Sequence, residues 1–478
     1  MNTRSFAISL TLGLCLFLSS LSGLQANEVS APKPTIEPTA NVQSKPSLSQ
    51  FVSAKNSRVL FQQAPDIPMI DLAIEIDAGS RWDPEGLEGL ADLTAQMAMA
   101  GVRSEANRPA LSEAEIGEAW ADLAVEQSIS TSRDRVSLRF RFLSDPKVRD
   151  AAVAIIARVL AEPGMVESVF ERERSTGIAS LKESLARPQT LATRALWQAM
   201  YQGHPYGALV TEASLQALSR DQLLAFHGFY WKPERMSIAI VGNLGLSEAR
   251  QVVERTQALL KPSTSERDQT LATLTNFRSS LGPAPKAGQS ASTITIDHPA
   301  SQAHIWMGLP LLARHELDDY FPLLVANHVL GGGGFVSRLT KEIREKRGMA
   351  YSVFSAIQPL AQAGPFFLGL QTQGAQAPEA VKVVNETLAD FIAQGPSEEE
   401  LVAAKKNLIG GFALRLDSNR KLLDNLAGVN FYRLPVNYLD TWTDRIDLVT
   451  QEDIQNVLRQ RFEGRGMVTV IVAGQPGP

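Results

Sequence analysis

The feature that most constrains the fold of this chain is a long internal repeat in its sequence. Each copy contains a helix-capping residue, Ser219 or Thr450, then an amphipathic helical pattern, and then a strand that begins with Met236 or Met467. Both pairs of residues are separated by 231 positions, whereas solenoid repeats have periods of about 20–50 residues. The pattern therefore predicts two homologous domains. The two copies read ALSRDQLLAFHGFYWKPERMSIAIVGN and LVTQEDIQNVLRQRFEGRGMVTVIVAGQ.

Each half of the chain begins with strand patterns and continues with longer helical patterns. In residues 134–143 the apolar side chains alternate, so that Val136, Leu138, Phe140 and Phe142 share one face of a strand. Hairpins combined with helices that cover one sheet face predict an α+β fold, with a mainly antiparallel sheet in each domain. Strands are expected at residues 57–63, 69–78, 294–297 and 303–308.

Two segments rich in Pro, Ser and Thr divide the chain of 478 residues, which is too long for one core. Their composition is typical of linkers without a fold of their own. The predicted organisation is a signal peptide at residues 1–26, a tether at 27–52, an N-terminal domain at 53–260, a linker at 261–292 and a C-terminal domain at 293–478.

The first residues have the layout of a secretory signal peptide. Arg4 precedes an apolar run from Phe6 to Leu18, small and polar residues follow, and we expect cleavage after Ala26. A retained anchor is the alternative, but the run is shorter than the roughly 20 residues of a membrane span. The only cysteine, Cys15, lies in this run, so the exported chain would form no disulfide. We expect a periplasmic protein of a Gram-negative-type bacterium, with no membrane span after cleavage.

The charge balance argues against nucleic acid as a partner. The chain carries 46 Lys and Arg against 51 Asp and Glu, a net charge of -5. A nucleic-acid surface needs a basic excess that displaces counterions from the phosphates.

The segment DAGSRWDPEGLEGLADLTAQMAMAG resembles the start of the M16 metallopeptidases, a family that includes insulin-degrading enzymes and mitochondrial processing peptidase. Active members carry His-x-x-Glu-His on a helix after a similar glycine-rich turn. The two His bind zinc, and the Glu serves as general base for the attacking water. The resemblance places Asp92, Ala95 and Gln96 at these three positions. It covers about residues 57–474 and implies the M16 peptidase-like fold of two homologous domains.

These substitutions predict that the chain binds no metal. Catalytic zinc needs about three protein ligands, usually His and carboxylate, and Ala95 cannot accept a proton. The resemblance places the family's third ligand near Ala179 or Ser180, which cannot replace a Glu; Glu183 is the nearest carboxylate. All six His follow residue 203, and none form a His-x-x-x-His pair. Asp92 and Gln96 are interpreted as a vestigial zinc site, or as ordinary polar residues on a partly exposed helix.

The second half retains a different part of the family pattern. In relatives, an Arg and a Tyr seven residues apart reach across to a zinc site on another domain and contact the substrate; Arg344 and Tyr351 match this pattern. A tyrosine hydroxyl can donate to the oxyanion of a tetrahedral intermediate, and a guanidinium can hold a peptide carbonyl. The alternative is a solvated Arg344 and a Tyr351 that fills a sheet. A helix is expected at about residues 336–346, and Gly348 would end it.

Four consecutive glycines precede this pair. They lack the Lys and the spacing of a phosphate-binding loop, and they resemble the loop of the non-catalytic processing-peptidase subunit. The resemblance implies a flexible substrate-binding loop at the mouth of a peptide chamber, and a plain solvent loop is the alternative. The four residues are Gly331, Gly332, Gly333 and Gly334.

The resemblance implies an exported, zinc-free subunit of a heteromeric M16 peptidase. Its expected partners are a zinc-bearing subunit with His-x-x-Glu-His and a peptide or unfolded polypeptide substrate. This chain would hold no cofactor itself, and zinc would lie in the partner. Two alternatives remain open: a peptide-binding or scaffold protein of the cell envelope without catalysis, and a self-sufficient hydrolase with an unrecognised metal site.

Overall fold

The computed structural model describes residues 48–262 and 291–474. The predicted signal peptide, most of the tether and most of the linker lie outside the described residues. Among the residues described, no helix has both the length and the apolar character needed to cross a bilayer.

The first half of the chain forms a six-stranded sheet with the strand order β1-β2-β6-β3-β5-β4. All neighbouring strands are antiparallel except β2 and β6, which are parallel. The alternation expected for residues 134–143 is confirmed, because the four named apolar residues of β5 are buried and the residues between them are half-buried. The strands are β1 (Ser49–Val52), β2 (Arg58–Gln63), β3 (Met69–Ile76), β4 (Glu126–Thr131), β5 (Val136–Leu143) and β6 (Met236–Gly242).

Eight α-helices accompany this sheet among the described residues of the first half. Most pack an apolar side against one face of the sheet and form its main core. They are α1 (Leu90–Ala98), α2 (Glu113–Asp122), α3 (Pro146–Ala161), α4 (Glu167–Leu185), α5 (Pro188–Met200), α6 (Glu212–Gln216), α7 (Arg220–Tyr230) and α8 (Leu246–Gln257).

The second half forms a five-stranded sheet with the order β7-β11-β8-β10-β9. Here too the strand that closes the half, β11, pairs in parallel with one neighbour and antiparallel with the other. The strands are β7 (Ser292–Asp297), β8 (Gln302–Leu312), β9 (Ala350–Ile357), β10 (Gly364–Gln373) and β11 (Val468–Ala473).

Six α-helices belong to the described residues of the second half, together with short π-helical and 3-10 turns between α9 and β9. The helices are α9 (Leu317–Asn327), α10 (Ala377–Gln394), α11 (Glu398–Phe412), α12 (Asn419–Phe431), α13 (Trp442–Leu448) and α14 (Gln451–Phe462), of which α13 is a connecting turn-length helix.

The predicted repeat and the α+β fold class are confirmed. Ser219 and Thr450 both cap their helices through capping boxes, and β6 and β11 occupy equivalent places in the two sheets. The last residues of the predicted tether belong to the fold, because β1 pairs with β2 and buries Phe51. β8 also runs beyond its predicted end at residue 308, since the following residues to Leu312 are buried as well.

The two halves exchange equivalent helices. Helix α5 of the first half places Leu196 and Met200 against Val470 on the second sheet. Helix α12 begins 231 positions after α5 and packs on the first sheet, where the Asn430 amide donates to Arg58 O at 2.9 Å. Each sheet is therefore covered on one face by a helix from the other half.

Asp134 joins the halves at a fully buried position in the turn between β4 and β5. Its carboxylate accepts hydrogen bonds from Arg81 Nη1 (2.5 Å) and Tyr206 Oη (2.6 Å) of the first half. It also accepts from Tyr432 Oη (3.0 Å) and Ala361 N (2.9 Å) of the second. Burial and the nearby Asp134 charge raise the pKa of both tyrosines, which therefore act as donors at neutral pH.

Candidate functional site

Helix α1 is anchored by a buried carboxylate at its start. Asp83 accepts backbone hydrogen bonds from Gly89 N (2.9 Å) and Ala91 N (2.7 Å), which would otherwise be unpaired at a helix N-terminus. Burial raises the pKa of Asp83 to about 8, and these two hydrogen bonds oppose the rise. Gly89 has a φ of 105°, a conformation that favours glycine at the end of the preceding turn. The turn thus fixes the direction of α1.

Asp92 and Gln96 lie together on the exposed side of α1. The Gln96 Nε2 donates to Asp92 Oδ2 at 2.8 Å, as their spacing of one helical turn predicts. The surrounding protein is dense enough that desolvation raises the pKa of Asp92, with Thr131 of β4 and Gln96 opposing it.

The side chains on this face do not fit a catalytic zinc ion. One carboxylate and one amide are present, and the third position, Ala95, is a buried methyl group. Residues 48–262 and 291–474 contain no group of three His, Cys, Asp or Glu residues placed to hold a metal. The chemistry of the donor set, with neither imidazole nor a second carboxylate, provides neither the ligands nor the general base.

The other candidates from the sequence do not complete the set. Glu183 lies on the exposed side of α4, where it pairs with Arg187 at 2.7 Å. His204 caps a short turn, because its Nδ1 accepts from Tyr206 N at 3.1 Å. This contact is structural, and it does not place the His204 ring at the α1 face.

Arg344 and Tyr351 come together on the surface of the second half. The Arg344 guanidinium lies 5.2 Å from the centre of the Tyr351 ring and 4.8 Å from the centre of the Phe335 ring. Tyr351, at the start of the edge strand β9, is 85% exposed, and Phe335 is 72% exposed. We call Phe335, Arg344 and Tyr351 the Arg344 patch. Among the described residues, no carboxylate forms a salt bridge with Arg344.

The Arg344 patch has the groups needed to bind a polypeptide backbone. The contacts with two aromatic rings hold the planar guanidinium in place through cation–π attraction, at little cost to its hydrogen-bonding edge. An unpaired guanidinium can bind a carbonyl or carboxylate, and the accessible Tyr351 hydroxyl can donate to an oxyanion. The patch lies in the second half, whereas Asp92 and Gln96 lie in the first.

The glycine run differs from the predicted open loop. A π-helical turn, His328–Gly332, includes the first two glycines, and Gly331 is buried against β9. Gly332 and Gly334 are exposed, Gly333 is half-buried, and only Gly334, with a φ of 64°, adopts the left-handed conformation. The helix predicted for residues 336–346 is also wrong at its start, since Ser337 is extended and a π-helix spans Thr340–Glu345. Gly331 packs closely against Ser355 of β9, where the segment forms its π-helical turn.

Replacing Gly331 with alanine is expected to destabilise the protein by about 1–3 kcal/mol, the usual cost of overpacking. The new Cβ would lie 2.6 Å from the backbone nitrogen of Ser355 on β9, and the strand would have to move. Urea unfolding measures the change. Gly410→Ala is the matched control: it lies within α11 in open space and should stabilise the protein by about 1 kcal/mol or less. A Gly331→Ala variant with the wild-type free energy of unfolding would contradict the packing argument.

Phe335 is the site residue that the sequence did not reveal. An aromatic residue next to a glycine run has no pattern that separates a core position from an exposed one. Its only signal was a position shortly before Arg344 in the chain. The helical turns between the two residues bring the Phe335 ring to 4.8 Å from the Arg344 guanidinium.

Two family profiles match the chain, one in each part. The profile described as insulinase, peptidase family M16, matches residues 58–213. The profile described as the peptidase M16 inactive domain matches residues 217–408. Together they cover most of the described residues.

Relatives span nearly the whole length of the chain. A protein described as a non-peptidase homolog from Helicobacter pylori is 23% identical, over 89% of this chain and 94% of that protein. A protein described as an uncharacterized zinc protease from Mycobacterium leprae is 25% identical, over 85% and 88% respectively. The solved structure of a peptidase M16 inactive domain from Pseudomonas fluorescens has a TM-score of 0.81 and 27% identity, over 90% of this chain and 99% of that one.

Proposed function

Since the chain belongs to the M16 peptidase family and is of its inactive type, we propose that it is the zinc-free subunit of an exported heteromeric M16-type metallopeptidase. A zinc-bearing partner subunit with His-x-x-Glu-His would cleave a peptide or an unfolded polypeptide. This chain would complete the partner's active site with Arg344 and Tyr351. The exposed, unpaired Arg344 patch is the observation that carries the proposal.

The division of labour follows from the donor groups that each half retains. The α1 face has lost the imidazoles and the general base, so water activation must come from elsewhere. The Arg344 patch keeps a cation that can bind a peptide carbonyl and a hydroxyl that can donate to a developing oxyanion. Gly332 and Gly334, exposed next to the patch, would offer backbone groups to the substrate. Export rests on the signal-peptide pattern of residues 1–26.

Reconstitution with a zinc-bearing M16 subunit from the same cell envelope tests the proposal. Each chain is purified alone, zinc is measured by mass spectrometry, and cleavage of a quenched fluorescent peptide is followed separately and after mixing. We expect no cleavage by this chain alone, and an activity of the mixture that saturates at one-to-one stoichiometry.

Two results would contradict the proposal. A partner that is equally active alone would leave this chain without a catalytic role. Stoichiometric zinc in the isolated chain would support a self-sufficient hydrolase. Retention of peptide without cleavage in any mixture would favour the peptide-binding alternative instead.

A further inference from the structure

A second polar site lies where α12 ends above the first sheet, and it shares no lining residue with the Arg344 patch. A cavity of about 270 Å³ opens here between the two halves. Exposed His315 and Arg433 lie at its mouth, while buried Ser237 and Asn430 line its interior. Both halves contribute guanidinium groups to the lining, from Arg58, Arg81, Arg235, Arg314 and Arg433.

The arginines of this cavity outnumber the carboxylates that pair with them. Asp77 pairs with Arg81 Nη2 at 2.7 Å and with Arg235 Nη2 at 3.0 Å. Arg81 also pairs with Asp134, and Glu234 is a second carboxylate in the cavity lining. The other three, Arg58, Arg314 and Arg433, have no salt bridge with a described carboxylate. Positive charge gathered around one cavity disfavours each charged group unless an anion joins them. Burial and the neighbouring Arg433 lower the pKa of Arg58, whereas Tyr320 and Tyr438 raise the pKa of Arg314 against the effect of its burial.

Three buried polar atoms on the cavity-lining residues have no hydrogen-bond partner in the described part of the chain: Arg81 Nε, Ser237 Oγ and Asn430 Oδ1. The Asn430 Nδ2 already donates to Arg58 O at 2.9 Å and Ile238 O at 2.8 Å. The orientation of this amide is therefore fixed, and its oxygen is left as an acceptor. Buried polar groups are normally satisfied, so these atoms indicate a polar ligand with both acceptors and a donor.

Arg433 occupies a backbone position that usually selects glycine. It follows the end of α12 with a φ of 55°, and glycine is the common residue at such left-handed helix ends. A left-handed conformation costs a non-glycine residue roughly 1–2 kcal/mol. The presence of arginine here, with its charge unpaired, points to a use for its side chain.

We propose that this cavity binds a small oxyanion that also carries a hydrogen-bond donor. The guanidinium groups would hold the anionic oxygens, and the donor would reach Asn430 Oδ1. The carboxylate end of a peptide, with its amide N–H, has this chemistry, and so has hydrogen phosphate, with its O–H. Because Arg58 and Arg433 come from different halves, a bound anion would bridge the two halves. This site does not depend on the proposed peptidase function.

Isothermal titration calorimetry on the full mature chain tests the site at constant ionic strength. The probes are inorganic phosphate, N-acetylalanine and N-acetylalanine amide, of which the last has the donor but no anion. We expect saturable binding of phosphate or of N-acetylalanine and none of the amide. Binding of only one of the two anions identifies the source of the oxyanion.

Variants separate this cavity from binding elsewhere. Arg433→Gly should weaken anion binding at least tenfold, and it should still fold because glycine adopts this backbone freely. Arg58→Gln, a second variant at the opposite wall, should weaken it similarly. Arg459→Gln, on α14 and outside the cavity, should retain the wild-type dissociation constant. Absence of saturable anion binding, or equal affinity in Arg433→Gly and wild type, would overturn the proposal.

Discussion

Replacing Asp134 with alanine is expected to lower the free energy of unfolding by about 4 kcal/mol or more, as when one partner of a buried ion pair is removed. Asp134 is fully buried, so water cannot replace it. Its loss leaves Arg81 with Asp77 alone and removes the acceptor of Tyr206 and Tyr432. Each buried donor left without an acceptor costs about 1–3 kcal/mol. Urea unfolding followed by circular dichroism measures the change.

A second aspartate provides a matched control, because it also crosses between the halves. Asp424 on α12 accepts from Arg139 of β5 at 2.9 Å, but its side chain is 53% exposed. Asp424→Ala should therefore cost about 1 kcal/mol or less, as exposed ion pairs do. A similar small loss for Asp134→Ala would show that the buried cluster does not hold the halves together. Separate unfolding of the halves would appear as a second transition in Asp134→Ala.

Helices α5 and α12 are related by the same offset of 231 positions as the sequence repeat, but the sequence does not predict where either helix lies. The apolar spacing of Leu196 and Met200 indicates that one face of α5 is buried, but it does not identify the surface that covers this face. In the structure each helix covers the sheet of the other half. Local periodicity reports burial, whereas the choice between two similar sheets depends on the long-range complementarity of Asn430 with the backbone of β2 and β6.

The two candidate sites also differ in how far the sequence predicts them. The family resemblance implies that Arg344 and Tyr351 act at one site, and in the structure the Arg344 guanidinium lies 5.2 Å from the centre of the Tyr351 ring. The oxyanion cavity has no such signal. Its arginines come from β2, from turns and from the end of α12, far apart in the sequence. Only the packing of α12 on the first sheet brings Arg433 to Arg58.

Replacing Tyr351 with phenylalanine is expected to lower the kcat of the reconstituted peptidase about 10²-fold, the usual cost of losing one oxyanion donor. The variant keeps the aromatic ring that faces Arg344, so it removes the hydroxyl alone. Because Tyr351 is 85% exposed, the unfolding temperature and assembly with the partner should not change. A loss confined to kcat would place the hydroxyl at the transition state and not in ground-state binding.

Ser352→Ala serves as the matched control for this edge strand. Ser352 follows Tyr351 on β9 and is also exposed, but successive strand residues point to opposite faces. Its replacement should leave kcat and KM unchanged. If Tyr351→Phe retained the wild-type kcat while the mixture still required this chain, the chain would act by closing the partner's chamber. The Tyr351 hydroxyl would then have no part in the chemistry, and the activity would depend on the surface of this chain that contacts the partner.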